Sequence, residues 1–208
     1  MYKIIKAKPE HAKQILHYKT TTCYWKEFIE GNSLGKNYED MMFELVVNPR
    51  IPHTHVVIDD KDESKIFGCI IAMTNDDLAT MPDYTPYLHP KVMDVFAPWM
   101  NYQIADSVVI ELIAMDKTLR QGLELYAIAE ELANEKKNGC MSEFCWTCVN
   151  DSLALAIKKG FMVTDVIHFK DPVKMPLLYL QKRPELTALN NYFQTEEYLN
   201  QTNMLGVL

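Results

Sequence analysis

The sequence predicts a fold of the α/β (α+β) class, with strands and helices interleaved along most of its 208 residues. Three stretches carry that expectation. Residues 107–133 read as strand, tight turn and helix. Residues 53–73 read as a β-hairpin. Residues 141–181 read as a strand, a helix closed by glycine and a second hairpin.

The first stretch is the most informative. Ser107-Val108-Val109-Ile110-Glu111-Leu112-Ile113-Ala114-Met115 is β-branched and almost wholly apolar, which suits a strand buried on both faces. From Leu123 to Ala133 the residues Leu125, Ile128, Ala129 and Leu132 recur at helical spacing. The turn between, Asp116 to Gly122, is polar and short. The first turn of a helix has unpaired backbone N–H groups and the positive end of the dipole, and a glycine lets an anion come close to them. An ordinary β-turn-α connection has the same outline, so both readings stand on these residues alone. Glu111 is the one charge in the strand, on the face expected to hold Val109 and Ile113. A carboxylate there is desolvated, and its pKa is expected to rise into a range suited to a general base; a structural hydrogen bond at a bulge or cleft edge is the other reading.

Composition narrows the classes. Hydrophobic content of 48% and charged content of 24% are those of a soluble globular protein with a core of its own. A net charge of −7 argues against a general nucleic-acid binder. No run of ~18 apolar residues is present, so no membrane span is expected. The opening Met1-Tyr2-Lys3-Ile4-Ile5-Lys6 has no signal-peptide apolar core, which gives a cytoplasmic expectation. Five cysteines, an odd number in a chain of this size, do not suggest a disulfide framework. Cys145-Trp146-Thr147-Cys148 has C-x-x-C spacing, but residues three apart on a strand point to opposite faces, so buried reduced thiols are expected rather than a metal site.

The remaining elements follow in order. Tyr2 to Ala7 is a strand, and Pro9 opens a helix with the stripe Ala12, Ile15, Leu16 and Lys19. After a linker with Gly31 and Gly35, Tyr38 to Val47 is a second helix with Met41, Met42, Leu45 and Val46 inward, stopped by Asn48-Pro49-Arg50-Ile51-Pro52. His53 to Asp59 and Ile66 to Met73 form a hairpin across the charged turn Asp60 to Lys65. Residues 75–106 are an insertion rich in proline and aromatics, either a lid over a site or a packed excursion. Met141 to Val149 is a strand. Asn150-Asp151-Ser152 caps a helix from Leu153 to Lys159, which Gly160 ends. Phe161 to Phe169 and Leu177 to Gln181 make the last hairpin. Residues 1–183 are thus one domain, and 184–208 a polar tail that suits a docking helix.

Two of these stretches carry a resemblance. Leu119-Arg120-Gln121-Gly122-Leu123-Glu124 resembles the acyl-CoA pyrophosphate loop of the GCN5-related N-acetyltransferase (GNAT) family, usually Q/R-x-x-G-x-G/A after a strand; Gly122 matches, with Leu119 and Glu124 at the outer positions. The run from Asn150 to Gly160-Phe161 is similar to the family's N-x-x-A/S helix ending in K-x-G-F, with the Asn one residue late. The succession of elements over residues 2–182 is also the family's.

The resemblance implies a mixed, mostly antiparallel central sheet flanked by helices, and transfer of an acetyl group from acetyl-CoA, as cosubstrate, to an amine. It implies that the pantetheine runs along Ala114 and Met115, and that the pyrophosphate meets backbone N–H groups from Arg120, Gln121, Gly122, Leu123, Glu124 and Leu125. Arg120 adds a charge, and Glu124 has to turn to solvent. Asn150 is implied as a partner for the pantetheine arm, or is a plain helix cap. Glu111 is implied as the base, since family members use a strand Glu. Counted back from Gly160, the family's frequent Tyr acid falls at Ala156. Small-molecule or peptide amines are the expected acceptors, with no nucleic acid, membrane or metal, and a homodimer is left open. A non-catalytic relative that binds CoA or a protein partner is the alternative, and an unrelated binding module the third reading.

Overall fold

The computed structural model describes residues 1–21, 38–84, 107–116, 122–136, 139–146, 150–169 and 176–184. Expectations for the linker at 22–37, most of the insertion, the turn at 117–121, Cys148 and the tail lie outside these residues.

A seven-stranded sheet in the order β1-β2-β3-β4-β5-β7-β6 organises the chain. The strands are β1 (Tyr2–Lys6), β2 (Thr54–Asp59), β3 (Asp62–Thr74), β4 (Val108–Met115), β5 (Met141–Trp146), β6 (Met162–Ile167) and β7 (Leu177–Lys182). β4 and β5 are parallel, and every other neighbouring pair is antiparallel. The expected mixed, mostly antiparallel sheet with flanking helices is what forms.

Each face of the sheet has its own core. One is built from Val57, Ile70, Val108, Ile110 and Met141, with Leu125, Tyr126, Ala129 and Ala133 of helix α4 (Gly122–Asn134) and Ala156 of helix α5 (Asn150–Lys158). The other joins Val56, Ile58, Cys69, Ile71 and Leu112 to Ala12 and Ile15 of helix α1 (Ala12–Thr20) and to Val47 and Ile51. Burying both faces is what made β4 nearly continuous in apolar residues. A short helix α3 (Asn75–Ala79) opens the insertion, with Thr74 accepting the Asp77 N–H as its cap. No helix among the described residues is long and apolar enough to cross a membrane.

Several boundaries differ from expectation for physical reasons. The hairpin turn is only Asp60-Lys61, because Asp59 already pairs with Asp62. Glu63, expected in the turn, is held on the strand by Lys3 and Lys8, each 2.9 Å away. Asn150-Asp151-Ser152 do not precede α5; they are its first turn. The buried face of α4 takes in Tyr126 and Ala133, while Ile128 and Leu132 are only partly buried. Gly160 does end its helix, at φ 85, with the Phe161 N–H returning 3.0 Å to the Ala156 carbonyl.

The largest departure is the second helix, α2, over residues 38–50. Asn-Pro does not stop it. The helix is π-wound over Met42–Val47 and continues as Asn48–Arg50 before a 3-10 turn, Ile51–His53. Pro49 has no N–H to return to the preceding turn. Arg50 replaces it: its Nη1 donates to the carbonyls of both Leu45 and Val46 at 3.1 Å. A fully buried guanidinium thus holds the helix end where a backbone bond is missing.

Candidate active site

The site begins where two strands part. β4 pairs with β5 at Val108↔Met141, Val109↔Ser142 and Ile110↔Glu143, and the pairing ends there. β4 continues to Met115 along β3, and β5 continues to Trp146 along β7. The two therefore open into a fork beyond Ile110. At the same place β4 bulges: Ile71 faces Leu112 while Ala72 faces Ile110, so Glu111 is the extra residue.

The bulge changes which side chains share a face. Val108 and Ile110 belong to the α4/α5 core, but Leu112 belongs to the α1/α2 core. Ile113 packs with the first, so Glu111 does not share a simple alternating face with Val109 and Ile113 as expected. The backbone phase beyond the bulge follows from one bond. The Asp116 N–H donates to the Phe67 carbonyl at 2.7 Å, and Gly68 lies opposite Met115. By antiparallel alternation, Leu112 and Ala114 turn their backbone groups to β3, while Ile113 and Met115 turn theirs into the fork. Ala114 lines the opening by position, and Met115 by its main chain as well.

At the mouth of the fork stands the N-terminus of α4. Gly122 is its first residue and is buried. A Cβ there would come within 2.8 Å of Leu155 Cδ1 and 3.0 Å of Met115 Cε, so the bare glycine lets β4, α4 and α5 close on one another. Leu123 is partly buried, Leu125 fully buried, and Glu124 exposed, so the acid of the first turn does turn to solvent. Arg120, Gln121 and the side chain of Asn150 lie outside the described parts.

On the α1/α2 side, Glu111 meets a buried cationic cluster. Arg50 grips its carboxylate with both arms, Nε on Oε2 and Nη2 on Oε1 at 3.0 Å. Lys19 Nζ donates to the Glu111 carbonyl at 3.1 Å. Arg50 and Lys19 are 0% and 1% exposed. Tyr84, at the start of the insertion, has its ring centroid 5.9 Å from the guanidinium carbon, at the limit of a cation–π contact. Burial pushes the Glu111 carboxyl up, but Arg50, then Lys19, more than offset it and hold the group below the usual carboxylate value. The expected rise does not occur. Burial draws the Lys19 ammonium below its usual value, and Glu111 opposes that only in part. Burial pushes the Cys69 thiol up to about 12, which leaves it an inert packing group.

On the α4/α5 face, at the last β5 residue paired to β4, is a pair not expected from the sequence. The Tyr126 hydroxyl donates to Glu143 Oε2 at 2.7 Å, and both side chains are buried. Burial raises the Glu143 carboxyl to about 7, against the hydrogen bond from Tyr126. A second mid-strand carboxylate was the available signal, the one that singled out Glu111. Ala156 is fully buried in the α4/α5 core. The count from Gly160 that put an acid at Ala156 therefore fails, because that helix position packs inward.

No protein-family model and no curated protein matches the chain. Solved structures do match. An N-acetyltransferase from Staphylococcus aureus Mu50 superposes with a TM-score of 0.55 over 86% of this chain and 100% of its own, at 19% identity. The chain has the GNAT fold. The NatC complex, solved with Gag peptide and CoA, gives 0.53 over 88% of this chain and 97% of that one at 15% identity. The C-terminal condensation domain of Ebony, in complex with beta-alanyl-dopamine, gives 0.57 over 88% and 99% at 12% identity. Among the described residues of this GNAT fold no group of three or more His, Cys, Asp or Glu is placed to hold a metal.

Proposed function

We propose that the chain is an N-acyltransferase that moves an acetyl group from acetyl-CoA to an amine. The observation that carries this reading is the fork: main-chain groups of Ile113 and Met115 directed between parted strands, with a helix N-terminus at the mouth, on a GNAT fold. An extended amide-bearing arm pairs with such an edge as a strand would. The backbone N–H groups of Gly122, Leu123, Glu124 and Leu125 suit a pyrophosphate, with Arg120 and Gln121 beside them in the turn and Asn150 on the arm. CoA supplies an activated thioester when bound.

Glu111 is the proposed base, in a changed form. Held as a carboxylate by Arg50, it is ready to accept throughout the neutral range, and it stabilises positive charge gathering on the attacking nitrogen. The acceptor, a small-molecule or peptide amine, enters on the α1/α2 side beside Lys19 and Tyr84. A cytoplasmic setting suits the buried cysteines Cys69, Cys140 and Cys145, which are in no disulfide.

Calorimetry with acetyl-CoA tests the reading, paired with thiol release against free amino acids, arylalkylamines and a peptide with a free N-terminus. Gly122→Ala displaces only the flexible ends of Leu155 and Met115, so it is expected to keep most of the affinity. Gly122→Asp adds an anion at the helix start and is expected to weaken binding at least about tenfold, ~1.4 kcal/mol. Equal affinity for wild type and Gly122→Asp, both folded, overturns the loop assignment. Binding without turnover on any amine points to a non-catalytic relative.

A further inference from the structure

We propose, resting on the acyl-transfer reading above, that Glu143 is the proton donor to the leaving sulfur, with Tyr126 as its positioning residue. The placement comes first. Glu143 is the last residue of β5 paired to β4, and its partner Ile110 directly precedes the bulged Glu111. The two residues thus sit one register step apart at the end of the β4–β5 pairing, with their carboxyls on opposite faces of the sheet. Glu111 lies with Lys19 and Arg50 under α1 and α2, and Glu143 shares its strand face with Met141 and Cys145 under α4 and α5.

Their surroundings set them to opposite tasks. Glu111 is ion-paired and stays charged. Glu143 is 4% exposed, has no cation against it among the described residues, and keeps its proton up to about pH 7. Two carboxyls at the end of one strand pairing, pushed apart in this way, divide into acid and base. The Tyr126 hydroxyl occupies Oε2, which leaves Oε1 to carry the acidic proton. The Tyr126 ring is steadied by Phe161, with centroids 5.6 Å apart. Among the described residues, the ionisable groups beside Glu143 are Tyr126 from α4 and Cys145 from its own strand. Its register partners Ile110 and Leu180 are apolar, and α5 presents Ala156.

The proton count closes. The amine nitrogen bonds to the acyl carbon, and the carbon–sulfur bond breaks with its electron pair on sulfur. Glu143 Oε1 gives its proton to that sulfur, and the amine's proton leaves on the Glu111 side to solvent. Glu143 then takes a proton back from water. The sum is thioester plus amine to amide plus thiol. Ala156, onto which the count from Gly160 put the family's acid position, has no proton to give.

An infrared titration tests this without turnover. The carboxylic C=O band of Glu143, identified as the band lost in Glu143→Gln, is followed from about pH 5 to about pH 9 in free protein, with CoA, and with desulfo-CoA. The expected midpoint is about 7 in free protein, displaced by CoA and not by desulfo-CoA. Equal response to both, with both bound, places Glu143 away from sulfur and overturns the proposal. Failure of either to bind overturns the acyl-transfer reading instead, and the proposal with it.

Kinetics gives the second arm. Glu143→Gln keeps an acceptor for Tyr126 and is expected to slow thiol release from acetyl-CoA by about 10²-fold. Tyr126→Phe removes the bond that lowers the Glu143 pKa, so the alkaline fall in rate is expected to move to higher pH. A uniform drop at all pH values in Tyr126→Phe marks a structural pair and overturns the proposal.

Discussion

Replacing Arg50 with Met is expected to destabilise the fold by about 3–5 kcal/mol, a large fraction of the stability of a domain this size. Two losses coincide. The Glu111 carboxylate, only 12% exposed, is left without its partner. The carbonyls of Leu45 and Val46 lose the guanidinium that donates to them beside Pro49, which has no N–H of its own. Urea unfolding at neutral pH measures the sum. The double variant Arg50→Met with Glu111→Leu is expected to recover part of the loss, since it removes the stranded charge and leaves only the helix end unpaired. The pH sense follows from the lowered Glu111 pKa. The ion pair stabilises in full above the ordinary carboxylate value and its contribution fades as pH falls through the lowered value. A single variant no less stable than wild type at neutral pH, or a double variant worse than the single, contradicts this account.

Glu111→Gln is expected to lower the rate of acetyl transfer by ~10²–10⁴-fold while acetyl-CoA still binds. The amide keeps the shape and one acceptor but loses the charge that the proposed mechanism sets against the attacking nitrogen. Because Arg50 keeps the carboxylate ionised, wild type is not expected to gain rate through the neutral range from Glu111 itself. Its contribution is lost only in acid, below the ordinary carboxylate value. Stopped-flow thiol release at saturating amine, with calorimetry on the same preparations, separates catalysis from binding. A variant within about threefold of wild type removes Glu111 from the chemistry and leaves it as the clamp for Arg50.

What was legible in the sequence was local. Gly160-Phe161 announced a helix end because a left-handed residue and the bond behind it involve only neighbours in the chain. Gly122 marked a close approach, and its packing against Leu155 and Met115 explains the bare backbone without any ligand. Glu111 stood out as a charge among β-branched residues. Its ionisation did not, because Arg50 lies 61 positions away and Lys19 donates across 92. Lys19 fell in the apolar stripe of α1, four residues after Ile15, and a lysine there was the sign of a buried anion or carbonyl to meet. Glu143 bore the same mark as Glu111. Pro49 read as a stop, since nothing in the order of residues tells that the following side chain will replace the lost backbone bond.

The fork has a consequence for how such a chain varies. A strand interior to a sheet normally has both edges spent on its neighbours. Here, among the described residues, β4 has no strand paired to one edge of the stretch that holds Ile113 and Met115, inside the sheet and not at its rim. What that edge offers a bound arm is peptide N–H and C=O, groups every residue but proline carries alike. Side chains along it are free to change while the main chain goes on presenting the same donors and acceptors. A protein that grips its donor in this manner is specified by the position of one extra residue in one strand, and such a specification leaves almost no lettered signature for a motif to match.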